Sequence, residues 1–278
     1  MTNEKANGAV TTKADKLPAM KLEDLEKFAG TGLESVTQDD LPTARLKVLQ
    51  NNSDKELEDV KGAKPGLIYN NASNSVYGSD GVQLVVCGYE KKWYEWKERG
   101  TGTGNAPVNE YLPHNRPRDA VRGDDGKFRL PSGNYLEETA NFFVLVIGEG
   151  APQPAILSMK VSGLKVARSW AYSLKNEFIQ NPKTKKLFLA PSWYRIYNVS
   201  SFKDKNDKGS WYGWKIEKDE FLNDEEIFNL ASEFHDSIQK VKSLPAMKMR
   251  KEVHKNNLGT FLSKWIKGSH NSKRSFLV

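Results

Sequence analysis

Apolar residues in the middle of this chain occur in short runs and at alternating positions, a pattern that predicts β-strands. The longest candidate, 81–96, begins with an apolar half and continues with charged residues that alternate with aromatic rings. Gly88 separates the two halves, so we expect a bulge or a bend there. Residues 142–147 are all apolar, which is typical of a central strand. Shorter strands are predicted at 46–49, 67–69 and 155–161.

Two amphipathic helices interrupt the β pattern. Ser162 is placed to cap a helix whose apolar stripe continues as far as Phe178. A second helix is expected to begin at Asn223 with a variant of the capping box. The polar segment 51–61 is predicted to be a loop.

Residues 193–217 hold three of the chain's seven tryptophans, together with three tyrosines and several lysines. Two aromatic runs flank the turn sequence Asn206-Asp-Lys-Gly209, and this combination predicts a β-hairpin or an extended β-arm. One face of such a hairpin can complete a core, while the other presents rings and cations to a ligand.

The order of the predicted elements is several strands, one helix, the aromatic hairpin and then further helices. An OB-fold is a small β-barrel with a helix inserted before its last two strands, so it has this order. We therefore predict an α+β, mainly β fold with an OB-like five-stranded barrel over 31–217, the alternative being a generic α+β sandwich. Within it, 99–135 is a long loop. Around it we expect a disordered or weakly helical tail at 1–30, an acidic helix at 218–244, and a basic arm or helix at 245–278.

The charge of the chain is positive and unevenly distributed. The net charge is +7, and residues 61–217 carry 23 basic against 15 acidic side chains. Residues 245–278 carry 8 basic residues and 1 acidic residue. This distribution favours a polyanion as the partner.

Signatures of catalysis are sparse. Cys87, the only cysteine, lies in an apolar run, where burial disfavours a reactive thiolate. The four histidines have no spacing that suits a metal site, and Gly100–Gly104 lacks the lysine of a phosphate-binding loop. We therefore expect no metal, no cofactor and no enzymatic activity. The enzymatic alternative is a metal-dependent nuclease, with candidate carboxylates at Asp80, Glu90, Glu137 and Glu138.

Aromatic rings interleaved with cations favour single-stranded nucleic acid, because bases stack on rings while cations neutralise phosphates. Strand alternation places Tyr89, Lys91 and Trp93 on one face of their strand. In the hairpin we assign the isoleucine-bearing faces to the core and the faces with arginine or lysine to the ligand. The predicted binding residues are Tyr89, Lys91, Trp93, Lys97, Arg116, Arg118, Arg122, Lys165, Arg168, Trp193, Arg195, Tyr197, Lys203, Lys205, Lys208, Trp211 and Lys215.

Four blocks of the sequence carry a family resemblance, namely Leu41–Gln50, Gly62–Asn70, Val85–Trp96 and Asn206–Trp214. They resemble single-stranded-DNA-binding proteins of tailed bacteriophages, and the resemblance covers roughly 30–217. It implies an OB-fold that coats replication or recombination intermediates without catalysis. The chain departs from this class at its end, which is basic rather than acidic, since the acidic stretch 217–226 lies internally.

The leading hypothesis is therefore sequence-tolerant binding that coats and protects single-stranded DNA. The sequence leaves three further partners open: RNA, a second copy of the chain, and phage replication or recombination proteins. A third hypothesis is a structural or interaction protein that uses the basic C-terminal helix. No stretch approaches the ~18 to 20 apolar residues of a membrane span. We expect a cytoplasmic protein, in the host cytoplasm if it is phage-encoded, without a membrane partner.

Overall fold

The computed structural model describes residue 31 and residues 43–98, 106–124, 126–148, 151–207 and 209–242. All of these except Thr31 belong to the larger of the chain's two compact units, Thr37–Phe261. The predicted N-terminal tail 1–30 and the predicted basic arm 245–278 lie outside the described residues.

The described residues form a mainly β structure, which confirms the predicted class. The strands are β1 Arg45–Val48, β2 Ile68–Asn70, β3 Ser75–Tyr77, β4 Val82–Trp96, β5 Asn109–Tyr111, β6 Val121–Arg122, β7 Phe128–Arg129, β8 Tyr135–Ile147, β9 Gln153–Lys160, β10 Phe178–Gln180, β11 Leu187–Leu189, β12 Arg195–Asn206 and β13 Gly209–Phe221. The helices are α1 Asp54–Asp59, α2 Gly163–Lys175 and α3 Glu225–Lys242, with 3₁₀ turns at Pro113–Asn115 and Ser192–Tyr194.

Eleven of these strands form one mixed sheet, in the order β13-β12-β4-β8-β9-β1-β2-β3. The short strands β5 and β7 pair with β4 and β8, and β6 pairs with β7. The pairing of β1 with β9 is parallel, and the neighbouring ladders are antiparallel. Two strands, β10 and β11, form a separate antiparallel hairpin.

The sheet curls into a half-barrel, so that the region after β1 reaches β13. The side chain of Gln50 donates to the carbonyl oxygen of Tyr212 and accepts from its N–H, both at 2.9 Å. Ser201 donates from its hydroxyl to the carbonyl oxygen of Gly66. A Cβ on Gly66 would lie 2.6 Å from the ring of Tyr212, so only glycine allows this close approach.

A helix covers each face of the central strands. On the inner face, Trp170 of α2 stacks on Phe142 at 4.2 Å between ring centroids and meets the edge of Tyr197 at 5.4 Å. On the outer face, Phe234 and Ile238 of α3 are buried. The first half of β4 is therefore enclosed on both sides, which explains why its sequence is apolar without alternation.

The predicted bulge in β4 is confirmed. The register with β8 shifts between Val86 and Gly88, and a Cβ on Gly88 would lie 3.3 Å from Ile238 of α3. Two carbonyl oxygens at the bulge accept side-chain hydrogen bonds, that of Val86 from Ser192 and that of Cys87 from Nδ1 of His235, both at 2.7 Å. The bulge is thus the docking point for α3.

Several local predictions need correction. The segment 51–61 contains the short helix α1 rather than only loop. Ser162 makes no side-chain cap, and α2 ends at Lys175 instead of continuing to Phe178. The cap of α3 is Asp224, whose carboxylate accepts from the N–H of Ile227 at 3.0 Å. The hairpin around 193–217 is confirmed, but β13 extends to Phe221, so the predicted acidic helix 218–244 begins as strand.

The long loop 99–135 is partly ordered by one buried carboxylate. Glu95 at the end of β4 is only 5% exposed and accepts hydrogen bonds from Tyr111 at 2.6 Å, Asn134 at 2.5 Å and Asn109 at 2.9 Å. Burial favours the neutral acid, but these three hydrogen bonds outweigh it and hold the pKa of Glu95 below its usual value. Glu95 therefore joins the end of β4 to β5 and to the residue just before β8.

Replacing Glu95 with glutamine should destabilise the fold by about 2 kcal/mol, because an amide offers fewer acceptor sites to three buried donors. Chemical denaturation would measure the loss. Glu110→Gln is the matched control, since Glu110 is half-exposed and pairs with Lys92 at the surface, so it should cost less than about 1 kcal/mol. Equal losses in the two variants would contradict the role given to Glu95.

The contribution of Glu95 should also depend on pH. Because its folded pKa is lowered, its stabilisation is complete above the usual pKa of 4.5 and is lost as the pH falls through the folded pKa. The stability difference between the wild type and Glu95→Gln should therefore shrink below pH 4.5. Denaturation curves across this range test it, and a constant difference would contradict it.

Candidate nucleic-acid interface

Beyond the bulge, β4 carries a partly exposed surface of rings and cations. We call it the β4 patch, and it consists of Tyr89, Lys91, Trp93, Arg116, Phe128, Glu138 and Arg168. Five of these seven residues were predicted from the sequence to bind, and Phe128 and Glu138 were not. Tyr89 is 38% exposed and packs on Phe142 with 5.0 Å between ring centroids.

The long loop supplies part of the β4 patch. Trp93 and Phe128 meet edge to face, with centroids 5.5 Å apart. The guanidinium of Arg116 lies 4.3 Å from the centroid of Phe128 and 5.3 Å from that of Trp93. Two aromatic rings therefore hold this cation at the surface. The position of Phe128 depends on the pairing of β7 with β8, which sequence spacing does not reveal.

One carboxylate lies within the β4 patch. Glu138 of β8 is opposite Trp93 in the strand register and pairs with Lys91 at 2.7 Å and with Arg168 at 3.7 Å. Three cations thus stand against a single acid, which leaves the patch positive. The Arg168 side chain is 70% exposed, so its interaction with Glu138 is weak and open to water.

The free end of the β12–β13 hairpin is a second cluster of rings and cations. It contains Lys203, Lys205 and Trp211 as predicted, and also Phe202 and Tyr212, which were not predicted to bind. By the strand register, Lys203, Lys205 and Tyr212 share one face of the hairpin end, and Phe202 and Trp211 share the other with Asp204. Phe202 is exposed, and the ammonium of Lys203 lies 5.8 Å from the ring centroid of Tyr212. Lys215 is exposed and pairs with Glu217 at 2.9 Å. Lys208 lies outside the described residues.

At the start of β12 the face assignment was wrong. Tyr197 was assigned to the ligand face but is 1% exposed and lies in the core against Trp170. Ile196, its neighbour on the opposite face, is also buried. Alternation cannot choose a solvent face here because α2 covers one side and α3 the other.

The side chains of Trp193 and Arg195 also make structural contacts. Trp193 packs on Phe228 and His235 of α3, with centroids 6.0 and 5.0 Å away. Arg195 stacks on Phe221 at 3.6 Å and pairs with Glu177 at 2.5 Å. Burial opposes the charge on Glu177, but hydrogen bonds from Lys218 and Arg195 outweigh it and lower its pKa. These contacts make both residues structural in the described conformation.

The remaining predicted residues are exposed and dispersed. Lys165 lies one turn before Arg168 on α2, next to the β4 patch. Lys97, Arg118 and Arg122 are exposed on the chain between β4 and β8. The β4 patch and the hairpin end extend in opposite directions from the pairing of β12 with β4 at 82–85, so the predicted residues form two clusters.

The carboxylates named for the nuclease alternative do not converge on one site. Three of them, Glu90, Glu137 and Glu138, are each paired with a cation. Glu90 binds Lys92 at 2.5 Å, and Glu137 binds Lys160 at 2.9 Å. Glu137 and Glu138 are adjacent in β8 and so point to opposite faces. In the part of the chain that the structure describes, no group of three or more His, Cys, Asp or Glu residues could hold a metal ion.

A stability comparison separates core from surface rings. Tyr197→Ala should lower the free energy of unfolding by roughly 3–5 kcal/mol, because it leaves a cavity beside Trp170. Trp211→Ala, at the half-exposed hairpin end, should cost about 1 kcal/mol or less. Denaturation of both variants measures the difference. A small loss at Tyr197 would contradict the assignment of its ring to the core.

No helix among the described residues is long and apolar enough to cross a membrane.

Comparisons with known proteins place the chain in a phage family. No curated protein and no solved structure matches it. The family model described as Pam3 phage gp34-like protein matches residues 11–243. The phage relationship is thereby confirmed, whereas single-stranded DNA binding stays a prediction. Because the match covers far more than half of the chain, this protein belongs to the Pam3 phage gp34-like protein family.

Proposed function

We propose that this protein binds single-stranded DNA without sequence preference and coats it during phage replication or recombination. The observation that carries the proposal is the β4 patch, where an exposed tyrosine lies beside three cations and one carboxylate. A base can stack on Tyr89, while Lys91, Arg116 and Arg168 contact the neighbouring phosphates.

The chemistry of the β4 patch favours single strands over duplex DNA. Stacking on a ring needs an exposed base face, which a duplex does not offer, and it contributes about 1–3 kcal/mol per base. Arg116 is held against Trp93 and Phe128, so little side-chain freedom is lost when it binds a phosphate. Single-stranded RNA also offers exposed base faces and phosphates, so it remains an alternative ligand.

An OB-type barrel is part of this proposal. The pairing order β12-β4-β8-β9, with α2 between β9 and the final hairpin, agrees with the element order of that fold. In this interpretation β4, β8, β9, β12 and β13 are the five barrel strands. β1 pairs with β9, and Gln50 just after β1 bonds to β13, so the N-terminal strand bridges the gap between the third and last barrel strands.

The same interpretation gives the two clusters a common purpose. OB-folds bind oligonucleotides with the loop between strands 1 and 2 and the loop between strands 4 and 5. Here the first of these is the chain between β4 and β8, which carries Arg116, Arg118 and Arg122. The second is the turn between β12 and β13, beside Lys203 and Lys205. We infer that a single-stranded DNA long enough to span the distance between the two clusters contacts both of them.

Removing two cations from the β4 patch should weaken binding in a salt-dependent way. Arg116→Gln with Arg168→Gln should reduce the affinity for labelled oligothymidine by about tenfold at ~0.1 M salt, and lower the magnitude of the salt slope by about 1.4. Fluorescence anisotropy over a salt series measures both quantities. Lys55→Gln with Lys61→Gln, the same charge change on exposed residues of the α1 segment, is the control and should leave the slope nearly unchanged. A larger effect in the control would contradict the placement of the site.

Removing the exposed ring should have a different signature. Tyr89→Ala should weaken binding by a factor of about 5 to 150 that stays nearly constant with salt, because stacking releases no counterions. Tyr89→Phe keeps the ring and should bind nearly as the wild type does. The same anisotropy titration serves, and equal losses in both variants would show that the ring is not stacking.

Incubation with Mg²⁺ or Mn²⁺ distinguishes coating from cleavage. A coating protein should protect labelled single strands from an added nuclease, whereas a metal-dependent nuclease should shorten them. Shortening that disappears with EDTA would favour the enzymatic alternative over this proposal.

A further inference from the structure

The hairpin β10–β11, with its connecting turn 181–186, is an arm outside the main sheet, and we call it the apolar arm. Phe178, Leu187 and Leu189 share one face by the strand register and are 56%, 68% and 47% exposed. An isolated two-stranded hairpin is at best marginally stable in water. An exposed apolar face on such an element indicates a surface that another protein covers.

The turn of the apolar arm is rigid and basic. The Asn181 side chain accepts from the N–H groups of Lys183 and Thr184, and the Asn181 carbonyl oxygen accepts from the N–H of Lys185, at 2.9 to 3.0 Å. Lys183, Lys185 and Lys186 are all exposed. No acidic residue occurs from 178 to 203. The arm therefore presents positive charge in a preformed loop.

An acidic surface begins beside the base of the same arm. Residues 217–226, which we call the acidic strip, contain six acidic side chains and one lysine. Its members Glu220, Glu225 and Glu226 are exposed. Glu177, directly before β10, pairs with Lys218 of the strip and with Arg195, which stacks on Phe221. The base of the arm and the strip are thus joined.

We propose that the apolar arm and the acidic strip form a self-complementary surface that binds a second copy of this chain. A two-fold interface requires that each copy offer both halves of the contact, and this surface does so. When two arms pack antiparallel on their apolar faces, the lysine turn of each copy reaches the base of the other arm, where the acidic strip begins. The interface then joins an apolar centre to charged pairs at its rim.

The charge pattern favours a protein partner over DNA at this location. Six carboxylates beside the arm repel phosphates, and the exposed side chains on its apolar face include two leucines, which do not stack with bases. This inference is independent of DNA binding, since none of its residues belongs to the β4 patch or to the hairpin end.

Reciprocal charge reversal tests the proposal. One variant carries Lys183→Glu, Lys185→Glu and Lys186→Glu, which replaces the three positive charges of the turn with three negative ones. The other carries Glu220→Lys, Glu225→Lys and Glu226→Lys, which changes the net charge of the acidic strip from −5 to +1. By light scattering at micromolar concentration, the wild type should be a dimer and each variant alone should dissociate at least about tenfold more readily, because like charges then face each other. An equimolar mixture should dimerise again, since both contacts in the mixed dimer join opposite charges.

A second pair of measurements guards against a folding artefact. Leu187→Ser with Leu189→Ser changes only exposed side chains, so it should keep the wild-type circular dichroism spectrum while weakening the dimer at every salt concentration. A monomeric wild type, variants that dimerise as the wild type does, or a mixture that stays monomeric would overturn the proposal. So would loss of oligothymidine affinity in the lysine variant without a change of mass, which would make the arm a DNA contact.

Discussion

The enclosure of the central strands between two helices determines where the main sheet can present side chains to a ligand. Helix α2 covers one face of β4, β8 and β12, and α3 covers the other at the bulge near Gly88. Rings in this zone, such as Tyr197 and Trp170, fill the core. On β4 and the β12–β13 hairpin, rings and cations reach solvent beyond the bulge and at the free end of the hairpin. The bulge is central because it both docks α3 and separates the enclosed half of β4 from the exposed half.

The exposed half of β4 becomes a surface only through the chain that follows it. Glu95 holds β5 and the residues before β8 in place. Strand β7 brings Phe128 against Trp93, and the guanidinium of Arg116 packs on the ring of Phe128. Without these contacts a ligand would have to order this charged loop on binding, at a cost in conformational entropy. The buried carboxylate and the aromatic pair provide that order before a ligand arrives.

Much of the fold followed from patterns in the sequence, while the faces of the strands did not. The alternating half of 81–96, the bulge at Gly88 and the aromatic hairpin were predictable because each has a local signature. Tyr197 was misassigned because alternation identifies a solvent face only when one face is exposed. Phe178 matched the helical period of α2 but belongs to β10, since Asn176 ends the helix first. Glu138 and Phe128 joined the β4 patch through strand register, a long-range property that no single segment encodes.

The most direct test of the central claim is a titration of the wild-type chain with oligothymidine, followed by intrinsic tryptophan fluorescence at several salt concentrations. The proposal predicts quenching, with an affinity that falls as salt rises, because Trp93 and Trp211 lie in the two clusters that also supply the cations. Absence of quenching, or an affinity that does not change with salt, would contradict it.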